Sequence, residues 1–455
     1  MNSALIDARR LWVEAGLPED YMKNLRLHEK PDPIVDTSFK LGSVAQTTVG
    51  LAALAASYLY YLRTGRTQTV SVNPRHAIIE FKSESYFLVN NKKPEGVLFD
   101  ELAGLYRTKD GFVRIHTNFP HHKKGILDLL KCESTRASIQ EALLQWNSQD
   151  FEDQVAANNL CATKSRTFDE WDKHPQALAL DGKKLVEITK VGEAPKRGRI
   201  NPLDPDSPLD GIRVLDLTRI LAGPVAGRTI AGYGADVLHI TSPNLPALPY
   251  LDMDTSRGKR NAQLDLTKSG DKETLEYLVT ESDVFLQAYR PGGLAEKGFG
   301  VENLIRRKPG LVYASLNAYG WEGPWKDRRG FDSLVQNATG FGFAEALAFV
   351  NSPRDDMQLQ PKPLPCQAID HAAGYLLAFG IIASLCKTIL EGGSWEVRVS
   401  LAGVAKWIRS LGQIDLQDID KLSLSLPRDV FDEEIKKFSV ELTPVLELDR
   451  EKSIK

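Results

Sequence analysis

At 455 residues, with 42% hydrophobic and 26% charged residues, the chain has ordinary globular composition and enough length for about two or three domains. That composition excludes a wholly disordered or collagen-like chain. The 57 Lys and Arg residues against 60 Asp and Glu give a net charge of −3, without the basic excess of a phosphate-backbone binder, so nucleic acid is not an expected partner. Cys132, Cys161, Cys366 and Cys386 are widely spaced and include no CxxC pair, which points to a reducing compartment rather than a disulfide framework or a zinc site.

Residues 1–37 read as an N-terminal helical arm. Arg9 and Arg10 lie among Asp7, Glu14, Glu19 and Asp20, without the apolar stretch of a signal peptide, and Ser453-Ile454-Lys455 does not match the peroxisomal tripeptide. The expectation is a cytoplasmic protein. Ala45 to Leu62 is an almost continuous apolar run, and Ala372 to Leu390 is another; both read as buried helices of a protein not associated with a membrane.

The two runs are related. Ser43 to Val72 aligns without gaps on Asp370 to Val399, matching Ala45 with Ala372, Ala56-Ser57 with Ala383-Ser384, Gly65 with Gly392, and Val70-Ser71-Val72 with Val397-Arg398-Val399. Each copy reads as a buried helix, a Gly turn and a strand. The first copy occupies residues 38–90. A small α+β domain is expected over 91–180, with a hairpin turning at Asp110-Gly111, where positive φ is tolerated, and amphipathic helices near 125–130 and 138–146. The polar stretch 181–210, punctuated by Pro195, Pro202, Pro205 and Pro208, reads as a linker.

From 211 to 405 strand and helix signals alternate. Ile212–Leu217, Asp236–Ile240, Val284–Ala288 and Leu311–Leu316 read as strands separated by helices, which makes this an α/β segment with a Rossmann-type parallel sheet. Residues 406–455 form a charged tail with no assigned role. In the first strand-to-helix turn, Arg219-Ile220-Leu221-Ala222-Gly223-Pro224, backbone N–H groups and the helix dipole favour a phosphate. The turn is not GxGxxG, so a nicotinamide dinucleotide is disfavoured and another adenine nucleotide is left open, while the spacing alone points at least as much to tight strand–helix packing as to a ligand.

Leu209-Asp210-Gly211-Ile212-Arg213-Val214-Leu215-Asp216-Leu217, the Leu221-to-Pro224 turn and Gly234-Ala235-Asp236-Val237 resemble the class III CoA-transferase (CaiB/BaiF) family. Further landmarks follow in the family's order: Arg257-Gly258-Lys259-Arg260-Asn261, Leu264-Asp265-Leu266, Arg290-Pro291-Gly292, Pro309-Gly310-Leu311-Val312-Tyr313 and Gly330-Phe331-Asp332. The resemblance covers Leu209 to Val404, and Arg63-Thr64-Gly65-Arg66-Thr67-Gln68 is similar to the turn after the family's aspartate helix. It implies a CoA-binding α/β domain with a smaller α+β domain. It also implies CoA transfer from an acyl-CoA to a carboxylic acid, in a homodimer, with coenzyme A entering as the substrate thioester and no metal or redox cofactor.

The resemblance places the nucleophile on Asp370, which would form a covalent aspartyl intermediate and split CoA exchange into two easier steps. Without the family, Asp370 reads first as a helix N-cap. Ser43, its counterpart in the first copy, can cap but cannot act as a carboxylate nucleophile. By the family pattern, Arg219, Ile220, Leu221, Ala222, Tyr289, Arg290 and Tyr319 line the CoA pocket, and Gly340 and Gly342 are candidates for stabilising oxyanions.

Lys259 and Arg260 resemble the family's basic pair, although such a pair on a surface loop is usually just solvated. His239 stands where many members carry a basic residue and glutamate. An acyl-CoA racemase would need a histidine at Phe331, so racemisation is a lesser alternative. His116, His121 and His122 form the densest histidine cluster, read as loop packing or substrate contact before metal binding. The turn Leu390-Glu391-Gly392-Gly393-Ser394-Trp395 departs from the family's, which leaves a non-catalytic acyl-CoA-binding pseudoenzyme as the main alternative. Members of the family run from Rossmann domain to aspartate helix, small domain and return segment, whereas here the helix copy and small domain come first; this rotated order suggests two tandem copies that lost the front of the first and the back of the second.

Overall fold

The computed structural model describes residues 3–198, 205–350, 359–414 and 425–438. Its strands, in chain order, are β1 (Leu25–Leu27), β2 (Val70–Val72), β3 (Gly104–Arg107), β4 (Phe112–Ile115), β5 (Ala162–Lys164), β6 (Glu187–Gly192), β7 (Arg213–Leu217), β8 (Asp236–Thr241), β9 (Lys259–Gln263), β10 (Val284–Gln287), β11 (Val312–Asn317) and β12 (Ser394–Ser400). Seven of them form one sheet in the order β6-β12-β11-β10-β7-β8-β9, parallel throughout except for β6. The chain builds β7, β8 and β9 outward, returns to the centre, and adds β10, β11 and β12 on the other side. The reversal leaves a crevice at the carboxyl ends of β7 and β10, where open α/β sheets bind ligands.

The central strands are apolar because helices cover both faces; Val214, Leu215, Val284, Phe285, Leu286, Val312 and Ala314 are all buried. At one edge, β9 has the polar sequence Lys-Arg-Asn-Ala-Gln, which carries no strand signal. Its Lys259 turns inward, where Nζ meets Asp216 Oδ2 at 2.8 Å and the Pro224 carbonyl at 2.9 Å, both side chains being fully buried. Arg260 faces outward and pairs with Asp236. At the other edge, the stretch 181–210 is not wholly a linker. Leu185, Val186 and Ile188 precede its prolines, and β6 pairs antiparallel with β12. Residues 199–204, with Pro202, lie outside the described residues, as does most of the expected tail.

The small domain is a β3-β4-β5 antiparallel sheet covered by the helices Pro120–Leu130, Arg136–Leu143 and Ser148–Ala157, around Tyr106, Val113, Ile115, Ile139 and Phe151. Neither Asp110 nor Gly111 takes positive φ at the hairpin turn. Thr108 N–H instead donates to the Gly111 carbonyl at 2.9 Å, and Asp110 accepts the Ser148 N–H at 2.7 Å. A buried ion cluster ties this domain to the large sheet. Glu152 pairs with Arg166, and Arg328 from the loop after β11 approaches it at 3.4 Å.

The repeat is structural as well as sequential. The helices Leu41–Thr64 and Ala368–Leu390 pack side by side, start from Lys40 (φ −77°, ψ 57°) and Gln367 (φ −77°, ψ 60°), and end before Gly65 (φ 75°) and Gly392 (φ 73°) in the left-handed region that glycine adopts without a Cβ penalty. Each lies between two parallel strands, β1 and β2 in the first copy, β11 and β12 in the second. An aspartate caps each helix from outside. Asp32 accepts the backbone N–H groups of Gly42 and Ser43, and Asp332 those of Ile369 and Asp370. Ala368–Leu390 is long and apolar enough to cross a membrane, and most of that surface is buried against protein.

Replacing Lys259 with Met should strand the Asp216 carboxylate in the interior and cost about 3–5 kcal/mol. Denaturant unfolding checks this, and the double change Lys259→Met with Asp216→Leu should recover much of the loss.

Candidate active site

Asp370 sits in the first turn of the Ala368–Leu390 helix, and three contacts fix it there. Asp332, at the start of the helix Asp332–Ala338, accepts the Asp370 N–H at 2.9 Å and the Gln336 side-chain amide. One turn on, Gly374 lies against the start of the helix Ala222–Gly232, so closely that a Cβ would stand 2.6 Å from the Ala222 carbonyl oxygen. His371, the next residue, turns away into the seam with the first copy, where Nε2 lies 3.0 Å from Glu84 Oε2. Neighbouring helical residues point about 100° apart, so His371 and Asp370 serve different surroundings.

Asp370 opens on a cavity of about 320 Å3 between the carboxyl ends of the strands and the small domain. Arg219, Ile220, Leu221 and Ala222 line it from the turn after β7, and Tyr289 and Arg290 from the turn after β10. Ile220 takes φ 76°, a left-handed conformation costly for a β-branched side chain. Lys326, Arg328 and Arg329 contribute from the loop after β11, and Phe119, His121 and His122 from the small domain. Among the lining residues Asp370 is the sole carboxylate, facing five Arg and Lys side chains. Arg328 is engaged with Glu152, and Arg219 donates to the Pro246 carbonyl while its guanidinium lies 5.3 Å from the Phe119 ring centroid. Burial, with Arg290 and Arg219 nearby, lowers the pKa of Arg329 from its ordinary value.

Other residues singled out in the sequence fall elsewhere. Tyr319 is fully buried behind the cavity, edge-on to Trp325, and does not line it. Gly340 and Gly342 lie against Phe168 and Pro361, also away from it. Lys259 and Arg260 are committed to Asp216 and Asp236. His239 joins the sheet edge, with Nε2 3.0 Å from the Thr218 carbonyl and Nδ1 3.1 Å from Asn261.

The three histidines divide. His116 is stacked on Phe331 at 3.9 Å between centroids, and burial brings its pKa down to about 3. His122 is also brought down to about 3 by burial and lies 3.6 Å from Cys161 Sγ. Burial raises the Cys161 thiol to about 12, so the pair is a neutral imidazole beside a neutral thiol rather than an activated nucleophile. His121 lies on the cavity wall with a pKa lowered by partial burial and by Arg329 and Arg219. The Leu390-Glu391-Gly392-Gly393 departure stands at the far end of the aspartate helix, about 30 Å from Asp370.

Lys326, Arg329 and Asp332 had no assigned role in the sequence. Lys326, Arg328 and Arg329, three cations within four residues just before Gly330-Phe331-Asp332, were a usable signal. Asp332 had only its place in the Gly330-Phe331-Asp332 landmark.

Burial, reinforced by the Asp332 and Glu84 carboxylates, holds Asp370 well above the usual carboxylate range. Asp332 is raised too, first by burial, against the N–H groups it accepts. Two carboxyl groups this close share protons rather than both ionising freely. The helix N-terminus and the cavity cations act in the opposite sense and favour the ionised form.

Against that geometry the comparisons are specific. Residues 209–413 match the profile of CoA-transferase family III. Over those residues the chain is similar to the family III CoA-transferases. It is 34% identical over 223 residues to the acetyl-coenzyme A transferase nodX of Hypoxylon pulicicidum, covering 47% of this chain and 36% of that protein. It is 36% identical over 217 residues to a succinate–glutarate CoA-transferase of Agrobacterium fabrum, covering 43% and 52%. A CaiB/BaiF family protein from Brucella suis of known structure is 26% identical, with 45% of this chain and 56% of that one covered, at a TM-score of 0.38. The chain thus spans about half or less of the curated relatives' length.

A carboxyl raised by burial binds its proton more tightly folded than unfolded, so it lowers stability as pH rises above the unfolded value near 4. Asp370→Asn should therefore leave stability unchanged near pH 4 and raise it by about 1 kcal/mol or more at pH 7, as read by thermal melting at both pH values.

Proposed function

We propose that this protein transfers CoA from an acyl-CoA thioester to a carboxylic acid, with Asp370 as nucleophile. What carries the reading is the position of Asp370 as the sole carboxylate on a cavity that five Arg and Lys residues help to line, at the crevice where a doubly wound sheet reverses. The strand order of β7 to β12 supports a Rossmann-type reading of this sheet. The names of the relatives, acetyl-coenzyme A transferase and succinate–glutarate CoA-transferase, agree with the chemistry.

In this reading the turn from Arg219 to Ala222 and the guanidinium of Arg290 hold the phosphates of CoA. The ionised Asp370 carboxylate attacks the thioester carbonyl and expels CoA thiolate, leaving an acyl–aspartyl anhydride. The thiolate then attacks the aspartyl carbonyl of the anhydride, releasing the first acid and forming an aspartyl thioester. The incoming carboxylate attacks that thioester and expels CoA thiolate, leaving a second acyl–aspartyl anhydride, and the thiolate attacks its acyl carbonyl to form the new acyl-CoA and free Asp370. Proton count is unchanged over the cycle. Each step develops an oxyanion, which the guanidinium groups lining the cavity would stabilise. The small domain would supply the wall over the acyl end through Phe119, His121 and His122.

A non-catalytic acyl-CoA binder was motivated by the altered turn at Glu391, and that turn's distance from Asp370 removes the motive. A racemase loses support because Phe331, where the histidine would stand, is stacked on His116. Cytoplasmic location and homodimer formation remain part of the proposal.

Incubation with acyl-CoA, then hydroxylamine and peptide mass analysis, should place a hydroxamate on Asp370. Absence of any hydroxamate across a panel of acyl donors would overturn the reading. Asp370→Asn should lower kcat at least about a thousandfold. Arg290→Met should raise KM for acyl-CoA about tenfold or more with a smaller effect on kcat.

A further inference from the structure

The first copy has no nucleophile, yet it reaches the back of the nucleophile's helix. Its strand β2 leads into the helix Pro74–Glu80, started by Asn73, just as β12 leads into Leu401–Ser410, started by Ser400. In the first copy the chain beyond that helix carries Ser83 and Glu84 into the seam with the second copy. Glu84 is almost fully buried, and its Oε2 lies 3.0 Å from His371 Nε2. Phe81 stacks on the same imidazole, with centroids 5.5 Å apart and planes 20° apart. The seam around them is polar and closed. Arg228 pairs with Asp254 at 2.7 Å and with Glu80 at 2.5 Å, and Ser83 donates to Asp254 at 2.8 Å. A buried carboxylate has no solvation of its own there and persists only through such partners.

We propose, resting on the reading of Asp370 as nucleophile, that Glu84 of the first copy is a positioning residue for Asp370. Its hydrogen bond to His371 fixes the first turn of the aspartate helix and places a second carboxylate behind the one that reacts. The groups that set the charge at Asp370 come from each element packed around it. They are Asp332 from its capping helix, Glu84 from the first copy, His371 on its own helix, and Arg219, Arg290, Lys326, Arg328 and Arg329 across the cavity. Burial opposes ionisation of Asp370 most, and Asp332 and then Glu84 add to it. The cost is a smaller ionised fraction at low pH, and the return is a more basic and hence more nucleophilic carboxylate once ionised. The catalytically silent repeat would thus be kept for its electrostatic and geometric action on the active one.

The test measures the titration of Asp370 directly. Carbodiimide labels protonated carboxyl groups, and peptide mass analysis of the full chain across pH gives the Asp370 midpoint without needing turnover. Glu84→Gln removes a like charge at nearly constant shape, so the Asp370 midpoint should fall by about half a pH unit or more, and the acid limb of kcat/KM should fall with it. Glu84→Asp should restore both toward wild type. A midpoint and acid limb unchanged in Glu84→Gln would overturn the proposal. If Glu84→Gln does not fold, His371→Gln cuts the same link from its other end, and a displaced midpoint supports the proposal while an unchanged one refutes it. A midpoint that falls in Glu84→Gln, together with a wild-type protein that forms no hydroxamate, would sink the CoA-transfer reading and leave the link between Glu84 and Asp370 standing.

Discussion

The Asp332 carboxylate, accepting the backbone N–H groups of Ile369 and Asp370, holds the start of the long central helix, and most of the site follows from that bond. It satisfies donors that would otherwise be orphaned inside the protein, since the helix begins in a buried place with no side-chain cap of its own. It fixes the axial position of the helix, so that Gly374 meets Ala222 and the side chain of residue 370 opens on the crevice. The same bond puts one carboxylate beside another, and so raises the proton affinity of Asp370.

The duplicated unit shows what that arrangement costs. In the first copy the cap is Asp32 and the residue aligned with Asp370 is Ser43, whose hydroxyl donates to Asp32 Oδ2 at 2.6 Å. A hydroxyl beside a carboxylate is a complementary pair; a carboxyl beside a carboxylate is not. The same scaffold is therefore self-satisfied in one copy and electrostatically frustrated in the other. Frustration concentrated at one buried position is a common mark of a functional site. The two helices pack along their length, and the polar seam from Glu80 to Arg257 joins their surroundings, so one copy cannot shift without the other.

Much of the fold was legible because the signals were local. Alternating apolar strands and helices gave β7, β8, β10 and β11, and the glycine and Val-x-Val tail exposed the repeat. The polar edge strand β9 was not legible, because its register depends on Lys259 reaching a buried partner on another strand. Nor was β6, whose short apolar stretch precedes a run of prolines and acquires strand geometry by pairing with β12. Within the site, the residues beside the Gly turns were found by motif and line the cavity, whereas Tyr319 turned into the core and Gly340 and Gly342 onto Phe168 and Pro361.

The sequence alone determined the period of the elements, the duplicated helix, the family resemblance and the single carboxylate on which it converges, since each rests on residue order and side-chain chemistry along the chain. Tertiary structure decided which cations share the cavity with Asp370, which histidines reach it, and that Glu84, far away in sequence, stands behind the Asp370 helix. Charge environments depend on distance and burial, and both are set only when remote segments pack together.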